Sequence, residues 1–165
     1  MISAAALVLF AHGAAAQTLP GGASEIQETH GDWRVTCASP NGTKVCAFTQ
    51  QQTNKDSRQL VIGIELKPTS STKAEGTIIL PFGLAVDKPV VMRIDDGTTQ
   101  TAHFRTCLPV GCVVPVVFDD ALVERLRKGA ILNVTAITDN GREAAFRIPL
   151  NGFGSALART ADLSK

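Results

Sequence analysis

The stretch DWRVTCASPNGTKVCAFTQ, residues 32–50, decides the fold. Trp33, Val35 and Cys37 alternate with Arg34 and Thr36, a period of two that marks a strand with one buried face. Pro40-Asn41-Gly42 follows as a turn, since these residue types supply the backbone angles a chain reversal needs. KVCAFTQ then runs back, with Val45 and Ala47 on one face and Cys46 and Phe48 on the other. The pair reads as an antiparallel hairpin with a cysteine on each strand.

The same alternation extends along the chain. SRQLVIGIELK places Leu60, Ile62, Ile64 and Leu66 on one face. PTSSTKAEG reads as a polar loop, and GTIILPFG as a short strand ended by Pro81. VVMRIDDGTTQTAHFRT is a second hairpin turning at Asp95-Asp96-Gly97. Pro115 inside CVVPVVF lacks a backbone N–H, which assigns that strand to a sheet edge or a bulge. DDALVERLRKG is the one internal helix, with Asp119 or Asp120 as its cap, Leu122, Val123 and Leu126 on its apolar side, and Gly129 as its stop. ILNVTAIT and EAAFRIPL flank Asn140-Gly141, a strong hairpin signal. Phe153, Ala156 and Leu157 lie at helical spacing, predicting a short terminal helix or turn packed on the sheet edge. About eight strands with regular turn signals predict an all-β, two-sheet antiparallel sandwich, with a closed barrel as the alternative.

The N-terminus reads differently. Ala4 to Ala11 is an apolar run, and Ala14-Ala15-Ala16 supplies an A-x-A cleavage pattern before Gln17, together the mark of a secretory signal peptide. It is too short for a transmembrane helix, which needs about 20 apolar residues. No Lys or Arg precedes it, so the n-region charge is expected from the α-amino group or from residues upstream of Met1. The expected organisation is a signal peptide over 1–16, a flexible lead-in over 17–29 and one sandwich domain over 30–165. No later stretch is apolar enough to span a bilayer. Lys plus Arg number 16 against 15 for Asp plus Glu, scattered along the chain, so neither a nucleic-acid stripe nor an anionic-membrane patch stands out.

Cys37, Cys46, Cys107 and Cys112 are the cysteines. The C-x8-C spacing of the first pair is too wide for a structural zinc knuckle, and neither pair has the C-x-x-C spacing of a redox helix. Export favours oxidation to disulfides. Of the three connectivities, local pairing of Cys37 with Cys46 and Cys107 with Cys112 is favoured by geometry; crossed pairing and a metal or redox role stay as alternatives. Chain entropy assigns about 2.7 kcal/mol to the first loop and about 2.2 to the second.

No catalytic, cofactor-binding or metal-binding constellation emerges. Ser-nucleophile elbow, H-E-x-x-H, P-loop and G-x-G-x-x-G patterns are missing from the sequence. His30 and His103 are the histidines beyond the signal, and His103 reads as a partly exposed strand residue. Asp95-Asp96-Gly97 lacks the further acidic residues of a calcium loop. Asn41 and Asn133 sit in glycosylation sequons, which matter only in a eukaryotic host. Trp33, the sole tryptophan, reads as core.

Several of these pieces, in this order, resemble the invasion-associated locus B family of exported alphaproteobacterial envelope proteins. They are GDWRVTC, KVCAFTQ, the LPFG of Leu80 to Gly83, the C-x4-C of Cys107 to Cys112 and the terminal LNGFGSAL. The resemblance implies an immunoglobulin-like sandwich, no catalytic site or cofactor, and a periplasmic or outer-membrane-associated location. The expected activity is binding of a protein partner in the envelope or on a host cell. Alternatives are a structural or chaperone-like periplasmic role, or an unrecognised periplasmic enzyme.

Overall fold

Buried and exposed side chains alternate along the strands, and that alternation builds two antiparallel sheets. The computed structural model describes residues 19–165, so the signal-peptide reading of 1–16 lies outside the described residues. The elements are β1 (Glu25–His30), β2 (Trp33–Ala38), β3 (Val45–Thr53), β4 (Leu60–Ser70), β5 (Lys73–Leu80), β6 (Val90–Ile94), β7 (Thr99–Ala102), β8 (Thr106–Leu108), β9 (Gly111–Phe118), α1 (Asp120–Lys128), β10 (Ile131–Ile137), β11 (Glu143–Pro149) and α2 (Phe153–Leu163). One sheet has seven strands in the order β1-β2-β3-β4-β5-β9-β8, the other four in the order β11-β10-β6-β7. Both sheets are open, so the arrangement is a sandwich and not a closed barrel.

The inner face of the large sheet carries Val35, Cys37, Phe48, Ile62, Ile64, Leu66, Ile78, Leu80, Val114 and Val116, each buried. Two partners share that face. Over its β5–β9 half sit the small sheet and α1: Met92, Phe118, Leu122, Leu126 and Leu132 line a common gap of about 10 Å³, room for roughly one water. Asp119 caps α1 by accepting from the Leu122 amide at 2.8 Å, and Gly129 ends it. Over the β1–β4 half lies α2, which buries Phe153, Ala156, Leu157, Thr160 and Leu163. All these groups form one core.

Three expectations are corrected. Residues 25–29, read as part of a flexible lead-in, belong to β1, paired with β2 from Glu25↔Ala38 to His30↔Trp33; Leu19 before them is buried. Their polarity misled because β1 is an edge strand with one solvated face. PTSSTKAEG is not a loop: β4 and β5 continue through it and reverse at Ser71-Thr72. The terminal helix is three turns long and covers the sheet face instead of its edge, with Phe153 packed against both Trp33 and Phe48. Those three rings have centroids 5.4–5.6 Å apart, with Phe153 edge-on to both.

Hydrogen bonds lock the same region. The Trp33 indole N–H donates to the Pro149 carbonyl at 3.2 Å, and the Gln50 amide donates to the same oxygen at 3.0 Å. Gln52 donates to the Arg147 carbonyl at 2.7 Å. Residues 147 and 149 lie on the outer edge of β11, so side chains from the large sheet satisfy an edge that has no strand neighbour. Gly152 has φ +88°, and a β-carbon there would fall on the His30 carbonyl, so only glycine lets α2 start against the β1–β2 turn.

Phe153→Ala removes the wedge from this cluster. It is expected to lower the unfolding free energy by about 3–5 kcal/mol, the usual cost of a buried Phe truncation, in urea titrations followed by tryptophan fluorescence. A cost below about 1 kcal/mol would show that α2 is not docked through this ring.

Candidate functional site

The outward face of the large sheet differs from an ordinary solvated sheet. Along β4, the pairing shifts between Gln52↔Ile62 and Thr53↔Leu60, leaving Val61 as an extra residue. This bulge turns Leu60 outward, where it lies beside Gly63 and Ile79. The neighbouring β8–β9 hairpin adds Val110 and Leu108, which are 61% and 49% exposed. Leu60, Gly63, Ile79 and Val110, with Arg58 and Glu65, thereby line a depression of about 450 Å³. A second depression of about 430 Å³ shares Thr49 and Gln51 with it and continues over Thr29, Asp32 and Arg34. One half of the surface is apolar, and the other presents hydroxyl, amide and charged groups.

The hairpin that carries Val110 is held by a disulfide. Cys107 and Cys112 are directly paired across β8 and β9, with sulfurs bonded at 1.95 Å. Gly111 at its turn has φ +136° and packs against the Leu80 carbonyl and Ile79, so a side chain there would collide with both. Cys37 and Cys46, also paired, are bonded at 2.04 Å and buried in the core. The two disulfides thus differ in access: Cys107 is exposed, and Cys37 is wholly buried.

Pro115 lies on β9 beyond the reach of the three-residue β8. The Arg105 amide bonds to the Val113 carbonyl on that outer side, so by alternation residue 115 also faces outward, where a missing N–H breaks no ladder bond. Val117 on the same edge is 75% exposed.

The remaining residues singled out by sequence take structural positions. His103 is exposed and lies just past the end of β7, not within a strand, because the β6–β7 pairing ends at Val90↔Ala102. Asp95, with φ +46°, accepts hydrogen bonds from the Ala130 and Ile131 amides at 3.0 Å and so fixes the start of β10. Asn133 donates weakly to the carbonyls of Arg93 and Asp95 at 3.4 Å. Among the described residues no three His, Cys, Asp or Glu side chains converge as metal ligands, and no helix is long and apolar enough to cross a membrane.

One charged cluster was missed from sequence because its members are far apart in the chain. Arg159 of α2 forks onto Glu28 of β1 through Nε at 2.9 Å and an Nη at 2.7 Å, and His30 Nε2 lies 3.3 Å from the same carboxylate. The Arg159 fork, assisted by His30, lowers the Glu28 pKa to about 2. Its location, tying α2 to β1, is that of a docking contact. Similarly, the Thr72 hydroxyl and then Lys73 hold the Asp120 carboxyl below its ordinary range, tying α1 to the β4–β5 turn.

The family model described as Invasion associated locus B (IalB) protein matches residues 33–161. The chain is similar to an invasion protein B homolog of Brucella abortus, 41% identical over 151 residues that cover 91% of this chain and 87% of that protein. It is 36% identical over 152 residues to invasion protein B of Bartonella bacilliformis, covering 90% and 81%. The crystal structure of invasion associated protein B from Bartonella henselae superposes with a TM-score of 0.77 at 33% identity, covering 84% of this chain and 96% of that one.

Two measurements check the site's chemistry. A water-soluble reductant applied to the folded protein should open Cys107–Cys112 before Cys37–Cys46, as read by alkylation and peptide mapping; the reverse order would contradict the difference in access. The second concerns pH. Because the folded-state pKa of Glu28 is depressed, its pairing stabilises fully above the unfolded value near 4.5 and is lost as pH falls toward about 2. Arg159→Met should therefore cost a small amount of stability at pH 7, reduced by solvent screening of this half-exposed pair, and the difference from wild type should vanish near pH 2. A pH-independent difference would rule out the ion pair as its cause.

Proposed function

The chain belongs to the invasion associated locus B family, and on that premise we propose that it is an exported, non-enzymatic envelope protein that works by binding a protein partner. The observation that carries this reading is the outward face of the large sheet. Leu60, Ile79 and Val110 form an apolar depression where a sheet face in water is ordinarily polar, and a disulfide holds the Val110 hairpin in place. An apolar centre with a polar rim of Arg58, Glu65, Thr49 and Gln51 has the composition of a protein-recognition surface. Two disulfides suit an oxidising compartment, which supports a periplasmic or outer-membrane-associated location. The relatives' names add a host-cell setting to the proposal.

Cell fractionation and in-cell cross-linking, with and without host cells, test this directly. The protein should be recovered in the envelope fractions with a cross-linked protein partner. Val110→Asp, at an exposed site, should abolish capture and leave stability unchanged. Gly63→Ala should weaken capture by narrowing the depression, since a β-carbon there makes only ordinary contacts with Leu60 and Ile79. Recovery in the cytosol, or capture unaffected by either substitution, would overturn the proposal.

A further inference from the structure

Among the described residues four sheet edges lack a strand neighbour, and they are not treated alike. The β11 edge carries Pro149, and its carbonyls accept from Trp33, Gln50 and Gln52. The β9 edge carries Pro115, β8 has three residues and β7 four. Proline, side-chain capping and short length are the usual ways of preventing edge-to-edge pairing. β1 has none of these: six residues, Glu-Ile-Gln-Glu-Thr-His, without proline, lysine or a bulge.

The groups available on that edge follow from the hairpin. The Ser39 amide bonds to the Ser24 carbonyl, so even-numbered residues of this segment face β2, and alternation turns the N–H and C=O of Glu25, Gln27 and Thr29 outward. None of these groups has a backbone partner outside the hairpin among the described residues. Their side chains all lie on the exposed face, whereas Ile26, Glu28 and His30 turn toward α2.

We propose that β1 pairs antiparallel with β1 of a second copy about a two-fold axis at Gln27, joining the two large sheets into one. That register places Gln27 opposite Gln27 of the copy and Glu25 opposite Thr29. Every outward N–H and C=O of the three residues then meets a partner. The side chains are complementary as well. Thr29 sits beside Arg34 of β2 in the row Thr29↔Arg34, so the copy's Glu25 lies two strands from Arg34, about 9.6 Å, with only the short Thr29 between them. An arginine and a glutamate reach across that gap. Both are exposed, and neither has an ion pair within its own chain among the described residues. The two-fold axis produces this pair twice, and it keeps Glu28 opposite Ile26 instead of another carboxylate. A chain that blunts its other edges and leaves a self-complementary one open is suited to a copy of itself.

Sedimentation velocity over a concentration series tests the proposal. The purified chain should dimerise, more weakly at high salt. Gln27→Pro removes the central N–H at a position where folding does not use it, and should leave a monomer with unchanged circular dichroism. Arg34→Glu should weaken the dimer by about 10-fold or more, and adding Glu25→Arg should restore it to within about 3-fold of wild type. The charge pair decides the matter even if the proline variant misfolds, since both residues are exposed. A chain monomeric at about 1 mM, or a dimer unaffected by the charge reversals, would overturn the proposal and leave this edge to no second copy.

Discussion

The carbonyl of Pro149 accepts two hydrogen bonds from the opposite sheet, one from the Trp33 indole and one from the Gln50 amide. On this acceptor the rest of the structure depends. It lies at the end of β11, immediately before the turn into α2, so its partners fix where the helix begins. The ring of Phe153 is then carried against both Trp33 and Phe48, and α2 lies along the inner face of β1 to β4. Next to it the Asp32 amide donates to the Asn151 carbonyl at 3.0 Å, binding the N-terminal hairpin to the C-terminal strand–helix junction. Residues more than a hundred positions apart are thereby closed onto one another. The carbonyl at this seam is partly shielded from water, so leaving it without these donors costs up to the roughly 1–3 kcal/mol of an unsatisfied buried group.

With the inner face covered by the small sheet and α2, the outer face and the edges are what remain open to solvent. Their chemistry comes from departures from strict alternation. The bulge at Val61 sends Leu60 outward, and the cross-linked β8–β9 hairpin brings Val110 alongside it. Pro115 and Pro149 occupy edge positions where a missing N–H is harmless, while the outward N–H and C=O of Glu25, Gln27 and Thr29 on β1 have no backbone partner among the described residues. The apolar outer depression and the β1 edge thus surround a core that the small sheet and α2 fill.

Much of the fold was legible in the residues. Alternation in DWRVTC and KVCAFTQ, the Asn-Gly turn and the capped DALVERLRK segment identified the sheets and α1, because each is a local signal. The order of motifs around the cysteines identified the family. Long-range consequences were not legible. EIQETH is a strand because β2 offers it a register, and Arg159, from the far end of the chain, adds a contact to Glu28 that no local pattern shows. The terminal helix showed its spacing but not its seat, which is set by Trp33 and Phe48. The outer depression depends on a one-residue bulge that nothing in SRQLVIGIELK announces.

The most direct test of the Pro149 seam is a double-mutant cycle on its two donors, with unfolding free energies from urea titration of wild type, Trp33→Phe, Gln50→Leu and the double variant. Either single change leaves the partly buried carbonyl one of these partners, whereas the double change removes both. The account predicts that the double variant loses about 1 kcal/mol or more beyond the sum of the singles. Additive losses would contradict it, showing that the two side chains stabilise the fold independently and that the shared carbonyl is not its lock.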